Sequence, residues 1–192
     1  IASFEITDIP LIKYTASKGK PIILSTGVAY KEDIDLAVET CRDAGNSKII
    51  LLKCTSGYPT PLNQANLLMM NTLQETYDVI VGLSDHTLGI VAPITAVALG
   101  AKVVEKHFIL DKSIGGPDST FSLDIKEFSA LTKGIRECEE ALGKSDIDLT
   151  EKQIKSRNFI RSLYISKDVK KGEIVDWGNV RSVRPGHGMH PK

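Results

Sequence analysis

The sequence has little of several features that place proteins in specialised classes. Its 192 residues include one Trp and three Cys, and aromatic residues make up only 6%. Cys41, Cys54 and Cys138 are widely spaced and form no Cys-x-x-Cys pair. A disulfide framework and a zinc ribbon are therefore not expected, and a reducing, cytoplasmic location fits this cysteine usage best.

Long apolar runs and an excess of charge of one sign are also missing. The longest nearly apolar stretch, 88–101, is interrupted by Pro93 and is too short to span a bilayer. Lys plus Arg and Asp plus Glu number 24 each, so the formal net charge is zero. Because nucleic-acid binders carry a basic surplus, neither nucleic acid nor a membrane is expected as a partner.

Charge is nevertheless distributed unevenly along the chain. Residues 151–192 contain ten Lys or Arg and four Asp or Glu, which leaves fourteen against twenty in residues 1–150. A solvated basic segment explains this asymmetry by itself. The alternative is two units that attract each other or an anionic ligand.

Near-continuous apolar runs, which fit parallel strands buried on both faces, alternate with helical patterns along most of the chain. The strand-to-strand period is about 23 to 29 residues, which is typical of consecutive β/α units. Two architectures use such units, an open doubly wound sheet and a closed (β/α)8 barrel. No Gly-x-Gly-x-x-Gly or P-loop motif follows a strand, which disfavours nucleotide binding. The predicted strands are 21–27, 48–54, 78–84 and 101–107, and the predicted helices are 31–44, 61–77, 89–99 and 124–142.

The number of strands predicts only part of a barrel. A complete barrel takes about 250 residues, and even a stub at 1–5 would bring the strands to five. We therefore predict an α/β fold, the C-terminal part of a (β/α)8 TIM barrel, followed by the start of a small β-rich module. The predicted boundaries are 1–143 for the partial barrel, 144–158 for a linker with a short helix at 151–158, and 159–192 for an incomplete β-rich domain.

Polar side chains recur where the predicted strands end. Positions i and i+2 of a strand point to the same face, and the carboxyl ends of barrel strands line the active site. Buried polar groups are costly without partners, so several at one mouth indicate a site rather than packing. These residues are Ser3 and Glu5, Ser25, Thr55 and Ser56, Ser84 and His86, and Glu105 and His107.

The two strand-end histidines suggest a metal site. His86 and His107 end consecutive strands, and neighbouring strands lie about 4.8 Å apart. Two imidazoles without cysteine leave positions for water and substrate oxygens, which suits catalytic Mn²⁺ or Mg²⁺ more than structural zinc. Two unrelated core or capping histidines remain the alternative. His187 and His190, in a Gly/Pro-rich stretch, are predicted to be exposed loop residues.

Two further positions are left open by the pattern. Asp118 follows a Gly-Gly-Pro turn, where it could orient a substrate hydroxyl or make only a local turn bond. Lys53 could supply positive charge to a phosphate or carboxylate, but the alternation of side chains leaves its direction unsettled.

As a set, the motifs resemble the sialic acid synthase family, also called the NeuB family. These enzymes condense phosphoenolpyruvate with a sugar to give nine-carbon acidic sugars. The resemblance implies a (β/α)8 barrel followed by a linker and an antifreeze-like (SAF) domain. The motifs, in family order, are 1–5, 21–27, 53–56 with 58–61, 82–87, 105–108, 115–118 and 184–186.

The resemblance also implies a role for each candidate residue. His86 and His107 would bind the divalent metal, Mn²⁺ or Mg²⁺ with Co²⁺ as a further candidate. Arg184 would reach the acceptor in the partner subunit's barrel, in a domain-swapped homodimer. The implied catalytic residues are Glu5, Glu105 and Asp118, and the implied substrate-binding residues are Ser3, Ser25, Tyr58 and Ser84. Thr55 and Ser56 are predicted to bind substrate as well, because their hydroxyls follow a strand end.

The implied chemistry is an aldol-type condensation. C3 of phosphoenolpyruvate attacks the aldehyde carbon of the open-chain sugar, which a Lewis-acid metal polarises. Water then adds at the oxocarbenium centre, guided by the metal or by a carboxylate such as Glu105, and phosphate leaves by C–O cleavage. No nucleotide or organic cofactor is implied.

Within the family, several motifs look more like pseudaminic acid synthases. These are 2–6, 115–118 with 121–123, and 161–163, whereas 53–56 departs from the His-Cys-Thr-Asn usual in the sialic branch. The implied acceptor is 2,4-diacetamido-2,4,6-trideoxy-altrose, and the implied product decorates flagellin or surface polysaccharide. N-acetylneuraminate or legionaminate synthesis, and a non-catalytic sugar-binding barrel, are the alternatives. The 184–186 motif argues against an enzyme that makes a shorter sugar acid.

The chain also departs from the family at its ends. It begins without an initiator Met or a signal pattern, on an apolar pair. The family's early strands, with an active-site Glu and Lys, have no counterpart, nor do the lysine before Ile1 and the remainder of the small domain beyond Lys192. Because such a barrel cannot close, we expect residues 1–192 by themselves to be inactive.

Overall fold

Four parallel strands form the sheet that positions the candidate site. The structure is a computed structural model that describes residues 1–192. The strands lie in the order β1-β2-β3-β4, each hydrogen-bonded to the next along the chain. All four predicted apolar runs are confirmed as strands: β1 Ile22–Ser25, β2 Ile49–Cys54, β3 Ile80–Asp85 and β4 Val103–Lys106.

Helices connect successive strands. The predicted helix at 61–77 is shorter than expected, because a three-ten turn at Leu62–Gln64 and a positive φ at Asn66 precede it. One helix was not predicted; it begins after Asp8, whose side chain accepts from the Leu11 N–H. The helices are α1 Ile9–Ala16, α2 Lys31–Asp43, α3 Met69–Tyr77, α4 Val91–Ala98, α5 Ile125–Leu142 and α6 Glu151–Ser156.

The two faces of the sheet differ in burial. Alternate strand residues form the core with the helices, namely Ile22, Leu24, Ile49, Leu51, Val81 and Leu83. On the opposite face, Ile23 is 38% exposed and Ile80 is 51% exposed. Burial of these strands on both faces was expected and is wrong at this end of the sheet, because four strands form an open sheet rather than a closed barrel.

The first residues are not a strand. Ser3–Glu5 is a three-ten turn, although Ile1 extends along β1 through its N–H to the Ile23 carbonyl (2.8 Å) and its carbonyl to the Ser25 N–H (3.1 Å). Ser3 and Glu5 therefore do not share a strand face as predicted. Ser3 is buried and Glu5 is exposed.

The chain divides into two compact units, Ile1–Gly143 and Lys144–Lys192. The second unit contains α6, inside the predicted linker, and an antiparallel pair, β5 Ser162–Ile165 with β6 Val180–Val183. His187 and His190 are exposed there, as predicted. None of the helices combines the length and the apolar character needed to cross a membrane.

Candidate active site

The face of the sheet that turns away from the helices carries the polar strand ends. Cys54, Ser84 and Glu105 lie side by side in register across β2, β3 and β4. The Ser84 hydroxyl donates to Glu105 Oε1 at 2.8 Å. This bond fixes one carboxylate oxygen, while Glu105 itself stays exposed to solvent.

His86 and His107 follow the same two strands and lie together. Their ring centroids are 5.2 Å apart. His86 Nδ1 lies 2.9 Å from the Thr55 carbonyl. Since a carbonyl can only accept, Nδ1 carries the hydrogen and Nε2 presents its lone pair. His107 Nδ1 similarly faces Asp118 Oδ2 at 3.4 Å.

This arrangement fits a divalent cation held by two protein ligands. Metal-binding histidines commonly donate their second N–H to a carbonyl or carboxylate. Here His86 Nδ1 donates to the Thr55 carbonyl, and His107 Nδ1 lies 3.4 Å from the Asp118 carboxylate. No group of three or more His, Cys, Asp or Glu side chains is arranged to hold a metal. The remaining positions would therefore belong to water or substrate oxygens, as in catalytic sites.

The electrostatics of His86 depend on Cys54. Burial disfavours the imidazolium, but hydrogen bonding to the Cys54 thiol and the Thr55 carbonyl raises the pKa of His86 above its ordinary value. Burial likewise opposes the Cys54 thiolate, but hydrogen bonding with His86, Ser3 and Ser84 lowers the pKa of the thiol. The cysteine count gave no indication of this role for Cys54; its place two residues before Ser56 was the available signal, and its register with Ser84 is visible only in the structure.

Aromatic side chains line the site. The Tyr58 ring lies 4.3 Å from His86 and 6.1 Å from His107. Phe121, which sequence analysis did not select as a site residue, packs 5.7 Å from Tyr58 and 5.0 Å from His107. Tyr58 is 47% exposed and Phe121 only 3%, so Tyr58 presents the accessible surface and Phe121 supports it.

A cluster of hydroxyls lies beside Gly27, in the loop after β1. Ser3 Oγ accepts from the Gly27 N–H at 3.0 Å, and the Ser3 hydroxyl also hydrogen-bonds with Cys54. Ser56 Oγ is buried and has no hydrogen-bond partner. An added Cβ at Gly27 would lie 2.7 Å from Ser3 Oγ and 2.9 Å from Cys54 Sγ, so the cluster requires glycine there. An unpaired buried hydroxyl such as that of Ser56 suits an anionic ligand.

Other candidates lie elsewhere. The Thr55 hydroxyl is held by Lys53 Nζ and donates to the Gln64 carbonyl at 3.1 Å, so it does not present a free hydroxyl to a ligand as predicted. Strand alternation explains this, because Lys53 and Thr55 flank the inward Cys54. Ser25 is buried at the end of β1, and Arg184 is exposed in the second unit.

Residues 1–147 match the NeuB family. The chain belongs to the NeuB family. This confirms the resemblance inferred from the motifs.

Two of the relatives are named as synthases of nine-carbon acidic sugars. The NeuB-family chain is 52% identical over its full length to "Pseudaminic acid synthase" of Campylobacter jejuni strain 81-176, covering 56% of that protein. It is 43% identical over 98% of its length to "N,N'-diacetyllegionaminic acid synthase" of C. jejuni, covering 58% of it. The chain thus spans about half the length of the curated relatives it matches.

A solved structure shows the same fold. The N-acetylneuraminic acid synthetase of Leptospira borgpetersenii, crystallised with citrate, superposes with a TM-score of 0.75 at 35% identity. The match covers 82% of this chain and 56% of that one. The four-stranded parallel sheet is therefore a partial NeuB-type barrel.

Proposed function

We propose that the protein containing this chain is a pseudaminic acid synthase. It would condense phosphoenolpyruvate with 2,4-diacetamido-2,4,6-trideoxy-altrose and release phosphate. One observation supports this chemistry most directly. The ring centroids of His86 and His107 are 5.2 Å apart, and the nearby Glu105 carboxylate accepts a hydrogen bond from Ser84. The identities of 52% to a pseudaminic acid synthase and 43% to a legionaminic acid synthase favour the altrose acceptor.

The hydroxyl cluster is suited to hold phosphoenolpyruvate. The buried Ser56 hydroxyl has no protein partner, Ser3 lies beside it against Gly27, and Ser25 ends the adjacent strand. Hydrogen bonds to a charged ligand are the stronger ones. Binding here would place the substrate next to Cys54 and Ser84, beneath the two imidazoles.

The carboxylates are suited to guide protons and hydroxyls. Glu105, fixed by Ser84 through one oxygen, keeps the other for the water that adds to the condensed intermediate. Asp118 orients His107 and lies in an exposed position from which it also reaches an acceptor hydroxyl. Tyr58 covers both rings from the solvent side.

His86 and His107 would hold the divalent metal, Mn²⁺, Mg²⁺ or Co²⁺. When bound, such an ion supplies Lewis-acid polarisation of the acceptor's carbonyl oxygen. The protein's part is orientation: the Thr55 carbonyl fixes the His86 ring, and the Asp118 carboxylate faces the His107 ring.

We further propose that the second unit is part of an SAF domain. Its β5–β6 pair and its basic character support this assignment. Arg184 would then contact the acceptor across a domain-swapped homodimer, and the protein would be cytoplasmic.

The full-length protein tests the proposed reaction. We would incubate it with phosphoenolpyruvate, Mn²⁺ and, separately, the altrose derivative, N-acetylmannosamine and the legionaminate precursor, and follow phosphate release. Release with the altrose derivative alone, abolished by chelator, is expected. Release with another acceptor would keep the chemistry and overturn the proposed acceptor. A folded protein that releases phosphate with none of them would contradict the proposal.

His86→Gln and His107→Gln are the informative variants, and His190→Ala is the matched control. Both glutamine variants should lose turnover together with Mn²⁺ binding, because each removes one of two protein ligands. The control removes an exposed histidine of the second unit and should change neither.

A further inference from the structure

A buried ion pair lies directly behind the two candidate metal ligands. Lys106 Nζ is 2.6 Å from Asp85 Oδ2, and each side chain is only 1% exposed. Asp85 and Lys106 are register partners on β3 and β4. Each immediately precedes one of the histidines in sequence, and strand alternation places the pair on the face opposite Ser84 and Glu105.

The pair also holds the backbone that follows His86. Asp85 Oδ1 accepts from the Thr87 N–H at 2.9 Å, and Lys106 Nζ donates to the Thr87 carbonyl at 2.5 Å. The His86 carbonyl accepts from the Thr60 N–H at 2.9 Å. The peptide group after His86 is thus fixed through both its carbonyl and its N–H, and the next carbonyl is fixed by Lys106.

Stability alone does not account for such a pair. Removing two charges from water costs about as much as their attraction returns, and well-packed apolar residues often do as well or better. Breaking the pair, however, leaves one buried charge uncompensated. The arrangement is therefore better explained by a role in fixing the position of β3 relative to β4 and of the backbone after His86.

We propose that Asp85 and Lys106 are positioning residues for the His86–His107 pair. By locking β3 to β4 and fixing the backbone after His86, they set the separation of the two imidazoles and hence the affinity for a divalent cation. This rests on the proposed function, in which these histidines hold the metal. Neither residue touches the substrate or the metal in this role.

The test measures Mn²⁺ binding to the full-length protein by calorimetry, without substrates. Lys106→Met removes the cation at similar length, and Asp85→Asn removes the charge while keeping an oxygen for the Thr87 N–H. Each is expected to weaken Mn²⁺ binding about 10- to 100-fold, the usual effect of losing an outer-shell partner. The control is Lys31→Met, which breaks an ion pair with Asp35 whose side chains are 66% and 44% exposed; its Mn²⁺ affinity should equal that of the unmodified protein.

Thermal unfolding, measured in the presence of a chelator, distinguishes a role in positioning the metal ligands from a role in stability alone. A purely structural pair would lower the unfolding temperature but leave the Mn²⁺ affinity of the folded protein within twofold, and that result would overturn the proposal. The proposal would also be overturned if both variants failed to fold under conditions in which the unmodified protein is folded. If the unmodified protein binds no Mn²⁺, the metal-dependent function fails and this proposal fails with it; if it binds and the variants bind equally well, only the positioning role is lost.

Discussion

At the scale of single residues, His86 links protonation to metal binding. Its Nδ1 hydrogen is committed to the Thr55 carbonyl, so a metal must bind at Nε2, where a proton competes. Burial works against the charged ring, but hydrogen bonding to Cys54 and the Thr55 carbonyl outweighs it and raises the pKa of His86 above 6.5. The protonated ring cannot bind a metal, and the raised pKa extends the pH range over which the ring is protonated.

We accordingly expect Mn²⁺ affinity to rise with pH and to level off only above the raised pKa of His86. Below the pKa, each unit of pH should change the affinity about tenfold. Calorimetry between about pH 5.5 and 8.5 would measure this. Cys54→Ala removes the hydrogen bond from the thiol and should move the bend in the profile to lower pH; a bend that stays in place in Cys54→Ala would contradict the assignment.

Gly27 offers a second test at this scale. In Gly27→Ala the new Cβ would lie 2.7 Å from Ser3 Oγ, so the hydroxyl must move. Loss of a hydrogen bond to a charged ligand costs about 1.5–3 kcal/mol. We therefore expect the KM for phosphoenolpyruvate to rise about 10- to 100-fold in the full-length protein.

Gly57→Ala is the matched control for that variant, because its nearest non-neighbouring atom would be 3.6 Å from an added Cβ. Circular dichroism would verify that both variants are folded. An unchanged KM in folded Gly27→Ala would remove the hydroxyl cluster from the proposed phosphoenolpyruvate site.

At the scale of secondary-structure elements, the sequence predicted what depends on local pattern. The four β-branched runs became β1 to β4 because buried parallel strands need continuous apolar sequence. The turn at Ser3–Glu5 was misread as a strand, since five residues are too few to show a period. The Asp85–Lys106 pair was not predicted, because its meaning depends on the β3–β4 register, which one sequence does not give.

The hydrogen bonds of Ser162, in the β5–β6 pair, give a further prediction. Ser162 is 1% exposed; its hydroxyl accepts from the Gly188 N–H at 3.0 Å and donates to the Pro185 carbonyl at 2.7 Å. Ser162→Ala leaves both groups without this partner, which typically costs about 1–3 kcal/mol. The single Trp of the chain, Trp177, lies in the same unit, so its fluorescence during denaturation reports on that unit.

Ser166→Ala is the control for this element, because the Ser166 side chain is exposed. It should leave the fluorescence midpoint unchanged while Ser162→Ala lowers it. Equal midpoints for the two variants would show that the hydroxyl of Ser162 contributes nothing to the turn that follows Arg184.

At the scale of the whole molecule, the half-barrel exposes apolar strand residues that a closed barrel would bury. The register aligns Ile23, Ile50 and Ile80 in one layer across β1, β2 and β3. Ile23 and Ile80 remain 38% and 51% exposed. Sequence pattern could not reveal this, because a continuous apolar run looks the same whether one face of the strand is covered or both are.

Exposed apolar layers of this kind promote association. We therefore expect residues 1–192, expressed alone, to self-associate through this face, and Ile23→Thr/Ile80→Thr to weaken that association about tenfold or more. Threonine keeps the β-branching that suits a strand while removing apolar surface. Light scattering after size-exclusion chromatography, over a range of concentrations, would measure the change. Ile147→Thr is the control, because Ile147 is 98% exposed and belongs to the second unit. If the double variant and the control associate equally, another surface drives the association and the exposed layer is tolerated in water.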